Sequence, residues 1–376
     1  MDFQFFFPFC TIVLALAQPS LTLADEPYQN SQIWESQGYL PIQSDSLDRV
    51  DRSEADTEDR NSRPWQPNSL IWPVEFQDPQ HSLGNSMAEF QSYGSGPYYH
   101  GGLDLRVVAG AEVRTPVSGR IEAGHYGYSN RPDGSSTKYW RPWPASGSRT
   151  YFEVAVITDD GYRFEFHHMD EDQLAPDVLT ILRKGSGKIN AGATLGRTIP
   201  WPDGVYHHLH YNILAPSQTQ LNPEYYSPLI DDHLAPEILE AFAIQQNGAV
   251  TSFSSGVFRQ RPAYFALVCL DHQDHNVYDH PPAHLKLEFD EGEGFSWDFR
   301  ERLTDSNGRF PPIWDFFIES LLTPVGTTLR TEGGYGIGQS IIRVPVPSTS
   351  RGGFTLTVAD LAGNKSLLRG RIDSQD

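Results

Sequence analysis

The sequence predicts a mainly β protein built from antiparallel sheets in two successive domains. Short runs rich in Val, Ile, Tyr and Phe are broken by frequent Gly and Pro, of which the chain holds 32 and 28. Within residues 69–230 only Ala175 to Arg183 has a helical pattern. A length of 376 residues exceeds one ordinary domain, and a hydrophobic fraction of 38% suffices for real cores.

Residues 1–24 read as a secretory signal. An apolar run from Phe5 through Thr11 to Ala17, broken by Pro8, is too short to anchor in a membrane; Ala15-Leu16-Ala17 has the small-x-small form of a cleavage site, and a cut after Ala24 is the alternative. The region before it departs from the usual pattern, having Asp2 and no Lys or Arg. Residues 25–68 form an acidic linker. Gln43 to Arg63 alternates acidic residues with Arg and holds almost nothing apolar, so it cannot offset the entropy of ordering.

The first folded domain is expected over 69–230. Its strands are Val107 to Val117, Gly119 to Ala123, Phe152 to Ile157, Tyr162 to Phe166 and Leu209 to Leu214. Gly127 to Ser148, with Tyr139, Trp140 and Trp143, reads as a long inserted loop, a length that points to function. Residues 231–255 read as a linker with a helix at Pro236 to Gln246. Over 256–376 strands return at Tyr264 to Leu270, His284 to Phe289, Ser340 to Val346 and Phe354 to Ala359. The closing hairpin Thr355 to Lys365 resembles the last hairpin of bacterial immunoglobulin-like β-sandwiches, which implies that class for the second domain.

A formal net charge of −20 argues against nucleic acid and against an anionic membrane surface as partner. Of the two cysteines, Cys10 lies in the leader and Cys269 in a strand-like run, so no disulfide framework exists.

The chemistry centres on His208-Leu209-His210. Side chains alternate along a strand, so Leu209, Tyr211 and Ile213 share one face and His208, His210 and Asn212 the other. Two imidazoles side by side on a rigid element suit a metal site or a general-base site. Upstream, His100-Gly101-Gly102-Leu103-Asp104 can fold an imidazole and a carboxylate onto one ion. Combined with His208 or His210 this makes a His-His-Asp set with one open position, the pattern of catalytic zinc.

With these motifs the chain resembles the lysostaphin-type zinc endopeptidases, which cut peptide bonds of bacterial cell-wall peptidoglycan. His100-Gly101-Gly102-Leu103-Asp104 matches the first family motif, and Gly110 to Ile121 its glycine- and proline-containing sequel. Phe166-His167-His168-Met169 matches the middle motif with Met in place of Leu. Lys188 to Gly196 matches the late glycine turn, and His208-Leu209-His210-Tyr211 the closing motif, followed by Asn222-Pro223. The resemblance spans roughly 70–230. It implies a lysostaphin-like antiparallel metallopeptidase domain of the barrel-sandwich-hybrid type and a Zn2+ cofactor held by His100, Asp104 and His210. It further implies His168 and His208 as catalytic residues, peptidoglycan peptides as substrate and a periplasmic or extracellular location. His167 and His207 read as surface or packing residues.

The sequence departs from that family where Gly204-Val205-Tyr206-His207 replaces the usual Gly-Pro, and in the insertion carrying Trp140 and Trp143. Both alter the expected substrate cleft. A regulator of wall hydrolases on the same fold, or a protease of extracellular protein, are the alternatives. Asp271 to Asn276 with Asp279, His280 and His284 is rich in metal-ligand types but reads as a solvated loop. Gly333 to Gly338 lacks the following helix that a phosphate loop needs and reads as a turn.

Overall fold

The computed structural model describes residues 40–41, 65–76, 82–91, 98–130, 136–253, 256–274, 276–302, 310–318 and 340–373. The leader, nearly all of the acidic linker and Gly333 to Gly338 lie outside them. The fold is mainly β with antiparallel sheets, as the residue pattern predicts.

The first half contains β1 (Leu40–Pro41), β2 (Phe90–Gln91), β3 (Tyr98–Tyr99), β4 (Leu103–Arg106), β5 (Glu112–Arg114), β6 (Gly119–Asn130) and β7 (Ser136–Pro142). It continues with β8 (Phe152–Ile157), β9 (Arg163–His167), β10 (Lys188–Ile189), β11 (Thr194–Arg197), β12 (His208–Leu214) and β13 (Gln220–Leu221). The main sheet runs β1-β7-β6-β8-β9-β12-β13, with β4 also paired to β12 and β10 to β6.

Register divides this sheet into two unlike faces. Leu103, Leu105, Leu209, Tyr211, Phe166, Phe164, Val154 and Val156 occupy matched positions across β4, β12, β9 and β8, and all are buried in one core. The opposite face carries Asp104, His208, His210, Asn212, His167, Glu165, Glu153, Tyr126 and Trp140. Because the period is two, each apolar residue facing the core leaves a polar neighbour facing the groove.

Three local expectations differ from the structure. Val107 to Val117 is a strand only at β5, because Gly110, at φ +69°, turns the chain before it. Much of the Gly127 to Ser148 insertion is a hairpin: β6 runs on to Asn130 and returns as β7, and β1 adds to the β7 edge. Within it Trp140 joins the polar face, whereas Trp143 packs against the apolar core. Pro236 to Gln246 is not helical but forms β14 (Glu237–Ile244), paired with a central strand along its length. Its Glu, Ala and Leu residues favour helix intrinsically, and tertiary pairing overrides that preference.

Helix α1 (Pro176–Lys184) has the stop signals its sequence implies. Proline opens it, Asp177 and Arg183–Lys184 complement its dipole, and Gly185 ends it at φ +66°. Gly185→Ala is expected to lower stability by about 1 kcal/mol while leaving the groove unaffected, read as a shift of the urea midpoint.

The second half adds β15 (Val250–Ser252), β16 (Val257–Phe258), β17 (Tyr264–His272), β18 (Asp279–His280), β19 (His284–Glu291), β20 (Phe295–Asp298), β21 (Ser340–Pro345), β22 (Arg351–Ala359) and β23 (Lys365–Ile372). One sheet is β15-β14-β17-β18, with β21 also on β17, and the other is β16-β23-β22-β19-β20. Phe265 of β17 meets Phe354 of β22 with ring centroids 5.0 Å apart, joining the sheets through their apolar faces. Cys269 is a free thiol buried there. Short helices α2 (Pro223–Tyr226) and α3 (Ile313–Phe316) lie where the halves meet. Tyr99 stacks on Phe310 at 4.9 Å, and the Asn222 amide donates to the Glu301 carbonyl at 2.6 Å. Among the described residues no helix is long and apolar enough to cross a membrane.

Candidate metal centre

Antiparallel pairing of β4 with β12 sets Asp104 directly opposite His210. His100, just before β4, closes the set. His100 Nε2 lies 3.2 Å from Asp104 Oδ1 and 2.9 Å from His210 Nδ1, and His210 Nδ1 lies 2.8 Å from Asp104 Oδ1. Two imidazole nitrogens and a carboxylate oxygen therefore meet at one point.

Gly101 and Gly102 make this convergence sterically feasible. A Cβ on Gly102 would overlap Asn212 Oδ1 and the Tyr211 carbonyl oxygen, and one on Gly101 would strike the Gln220 amide. The turn before β2 holds His100 from behind. His100 Nδ1–H donates to the Ser86 carbonyl at 2.9 Å, which leaves a lone pair on Nε2. Glu89 accepts from the Ser86 amide at 3.1 Å, and burial raises its pKa to about 8. Residues 85–89 carry no motif, so this support is invisible in the sequence.

Two further imidazoles face the set. His208 lies beyond His210 on the same strand face, with Nε2 3.9 Å from Asp104 Oδ1. His168 follows β9 and adopts the left-handed conformation at φ +61°. A non-glycine residue pays a strain of order 1–3 kcal/mol in such regions. This backbone turn brings the His168 ring to 4.7 Å from that of His208, measured between centroids. His168 Nδ1–H donates to the Thr150 carbonyl and His208 Nδ1–H to the Tyr206 carbonyl, each at 2.8 Å. In the neutral ring each Nε2 is then an acceptor.

Electrostatics favours neutral imidazoles at His168, His208 and His210. Burial, reinforced by His208, holds His168 well below the usual range, and burial also lowers His208. Burial takes His210 down to about 3 against the pull of Asp104. Burial also opposes charge on Asp104, but His100 and His208 outweigh it and keep this carboxyl well below its ordinary value. Burial presses on His100 too, and there Asp104 prevails and raises the pKa. A buried carboxylate among imidazole lone pairs is a donor set that suits a borderline divalent metal such as zinc.

An aromatic wall surrounds the histidines, and sequence reasoning did not assign it. Trp201 packs against both His168 and His208, at 4.6 and 4.5 Å between ring centroids. Tyr206 packs on His208 at 4.9 Å and donates from its hydroxyl to Asn85 Oδ1 at 2.6 Å. The loop that departs from the Gly-Pro pattern thus supplies the wall. His207 accepts from the Trp201 amide at 2.9 Å, which holds the loop closed.

A second cluster, Glu153, Glu165 and His167, also brings ligand atoms together. Its charge is already balanced. Lys138 Nζ reaches Glu153 and Glu165 at 2.6 and 2.7 Å, and Arg163 reaches them at 2.7 and 2.9 Å. His167 is buried against both carboxylates and meets His210 edge to face at 4.9 Å between ring centroids, so it packs and does not join the metal set. Asn222, in the Asn-Pro match, caps α2.

Neither a protein-family model nor a curated protein matches the sequence. Among solved structures, the antimicrobial peptidase lysostaphin from Staphylococcus simulans is similar at 15% identity, over 80% of this chain and 90% of that one, with a TM-score of 0.28. A solution structure of lysostaphin aligns at 13% identity over 81% and 91% of the two chains, with a TM-score of 0.29. A chain of the SpoIIQ–SpoIIIAH pore-forming complex aligns at 13% identity over 43% of this chain and 93% of that one, also with a TM-score of 0.29. Similarity at this level carries no argument about activity, which rests on the chain's own residues.

Proposed function

We propose that the protein is a zinc endopeptidase that hydrolyses peptide bonds of bacterial cell-wall peptidoglycan. The observation that carries this reading is the meeting of His100 Nε2, Asp104 Oδ1 and His210 Nδ1 beside two neutral imidazoles. Zinc held by those three atoms would supply Lewis acidity and a water whose pKa falls to about 7.

His168 and His208 are the catalytic residues in this reading. Nε2 of one accepts the proton of the attacking water and returns it to the leaving amine. The other stabilises the oxyanion of the tetrahedral intermediate in its doubly protonated form, since only then does Nε2 donate while Nδ1–H stays on its backbone carbonyl. The carbonyls of Thr150 and Tyr206 orient both rings, and Trp201 and Tyr206 keep bulk water from them. Arg163 and Lys138 neutralise the carboxylates beneath, so substrate meets a groove floor of balanced charge.

Residues 69–230 act as the peptidase domain, and the sandwich that follows belongs to the immunoglobulin-like class, with β14 as one of its strands. The N-terminal 24 residues direct export, which places the enzyme with its substrate in the periplasm or outside the cell.

The test is digestion of purified peptidoglycan by zinc-loaded protein, with and without a chelator, and identification of products by mass spectrometry. Chelator-sensitive release of cleaved peptides is expected, restored by zinc and not by magnesium. Failure of fully zinc-loaded protein to cut would overturn the reading. Cleavage of casein or elastin in its place would keep the chemistry and change the substrate.

A further inference from the structure

Three carboxylates from separate parts of the chain meet where the segment after α2 reaches the sandwich. Asp232 lies in that segment, Asp271 near the end of β17 and Asp360 just after β22. One oxygen from each lies within 4.8 Å of the others. The ligand-rich run from Asp271 to His284 therefore finds its geometric frame in distant aspartates and not in its own histidines. His272 pairs with Asp279 at 2.8 Å, and His280 Nε2 lies 3.1 Å from the Asn276 amide.

Two of the three carboxylates are held by hydrogen bonds. Asp360 Oδ1 accepts from the amides of Gly363 and Asn364 at 2.6 and 2.8 Å, and Oδ2 from Asn364 Nδ2 at 2.8 Å. Asp232 Oδ1 accepts from the Leu234 and Asp274 amides at 3.1 and 3.3 Å. Asp271 differs. It is 5% exposed, and its Oδ1 is buried without a hydrogen-bond partner. No Lys or Arg among the described residues forms an ion pair with any of the three. A buried, unpaired carboxylate beside two others is unfavourable unless a proton or a cation neutralises it. Burial, then the charges of Asp360 and Asp232, push Asp271 up to about 9.

We propose that Asp232, Asp271 and Asp360 bind a hard divalent cation of the calcium class that fastens the segment after α2 to the sandwich. Oxygen-only donors suit calcium and not zinc, which keeps this site chemically distinct from the histidine centre. Asp232 is partly open to solvent, which admits the waters that complete calcium coordination. The frame is already tied together, since Asn364 Nδ2 donates to the Asp232 carbonyl at 3.0 Å. The net charge of −20 raises the local concentration of cations.

The experiment is a calorimetric titration of zinc-loaded, full-length protein with calcium chloride, with melting curves in parallel. A single calcium with a dissociation constant below about 1 mM, the range of extracellular calcium modules, and a raised Tm are expected. Asp271→Asn should weaken binding at least tenfold and abolish the calcium-induced rise in Tm. Its calcium-free Tm should not fall below that of wild type, because a neutral amide of the same shape replaces a carboxyl that burial keeps protonated without calcium. Asp232→Asn, which leaves the Asp360 turn untouched, should also weaken binding and decides the matter if Asp271→Asn misfolds. Absence of binding up to about 10 mM, well beyond the weakest such sites, would mean that Asp271 simply holds a proton, and overturns the proposal. Equal binding by wild type and both variants overturns it too.

Discussion

His210→Ala is expected to lose zinc and peptide-bond hydrolysis together, whereas His168→Ala is expected to keep zinc and lose activity. The contrast follows from position. His210 Nδ1 lies within 3 Å of both His100 Nε2 and Asp104 Oδ1, so its removal takes one of three donors from the centre. His168 is anchored to Thr150 and packs most closely on His208, with its ring centroid 6.3 Å from that of His210 and outside the three converging donors. A positioned proton-transfer group contributes about 10²–10⁴-fold in rate, and the loss in His168→Ala should fall in that range in kcat. Zinc content by elemental analysis and turnover on the same preparations separate the two roles. Full turnover by His168→Ala would sink its assignment as a catalytic residue. Stability offers a second readout, since His168→Gly relieves the left-handed strain at φ +61° that His168→Ala retains, so the Gly variant should be the more stable of the two while both remain inactive.

Gly102→Ala is expected to disable the centre without changing any ligand. Its new Cβ would overlap the Tyr211 carbonyl oxygen and the Asn212 side chain. Tyr211 is paired with the adjacent Leu103, and that pairing sets Asp104 opposite His210. The backbone cannot yield there without shifting both ligands. Overpacking of this kind costs about 1–3 kcal/mol, and loss of alignment should lower zinc affinity by about 10–100-fold, the scale for disturbed supporting contacts. Denaturant unfolding and competition with a zinc chelator measure the two effects. Wild-type zinc affinity in Gly102→Ala would show that the close approach is not what holds the donors together.

Much of the site was legible because its motifs are local. Strand alternation alone puts His208, His210 and Asn212 on one face and Leu209 and Tyr211 on the other, as the structure has them. The spacing of His100 and Asp104 around two glycines pointed to a shared ion, and the three donors do converge. Less was legible where an element depends on its partner. The segment from Pro236 to Gln246 has helix-favouring residues and becomes a strand because β17 offers a full edge. The Gly127 to Ser148 insertion reads as a loop because its Gly, Ser and Pro content masks a hairpin in which β7 pairs with the end of β6 on one side and with β1 on the other.

By itself the sequence determined the β class, the two-faced strands and the acidic balance. These follow from bond geometry and residue chemistry, which act over a few residues. The tertiary structure alone decided the rest. It set His210 against Asp104, turned His168 toward His208 through a left-handed backbone, walled both with Trp201 and Tyr206, and neutralised Glu153 and Glu165 with Lys138 and Arg163. It also gathered Asp232, Asp271 and Asp360 from three segments. Such meetings depend on register and packing between distant parts of the chain, and no local period encodes them.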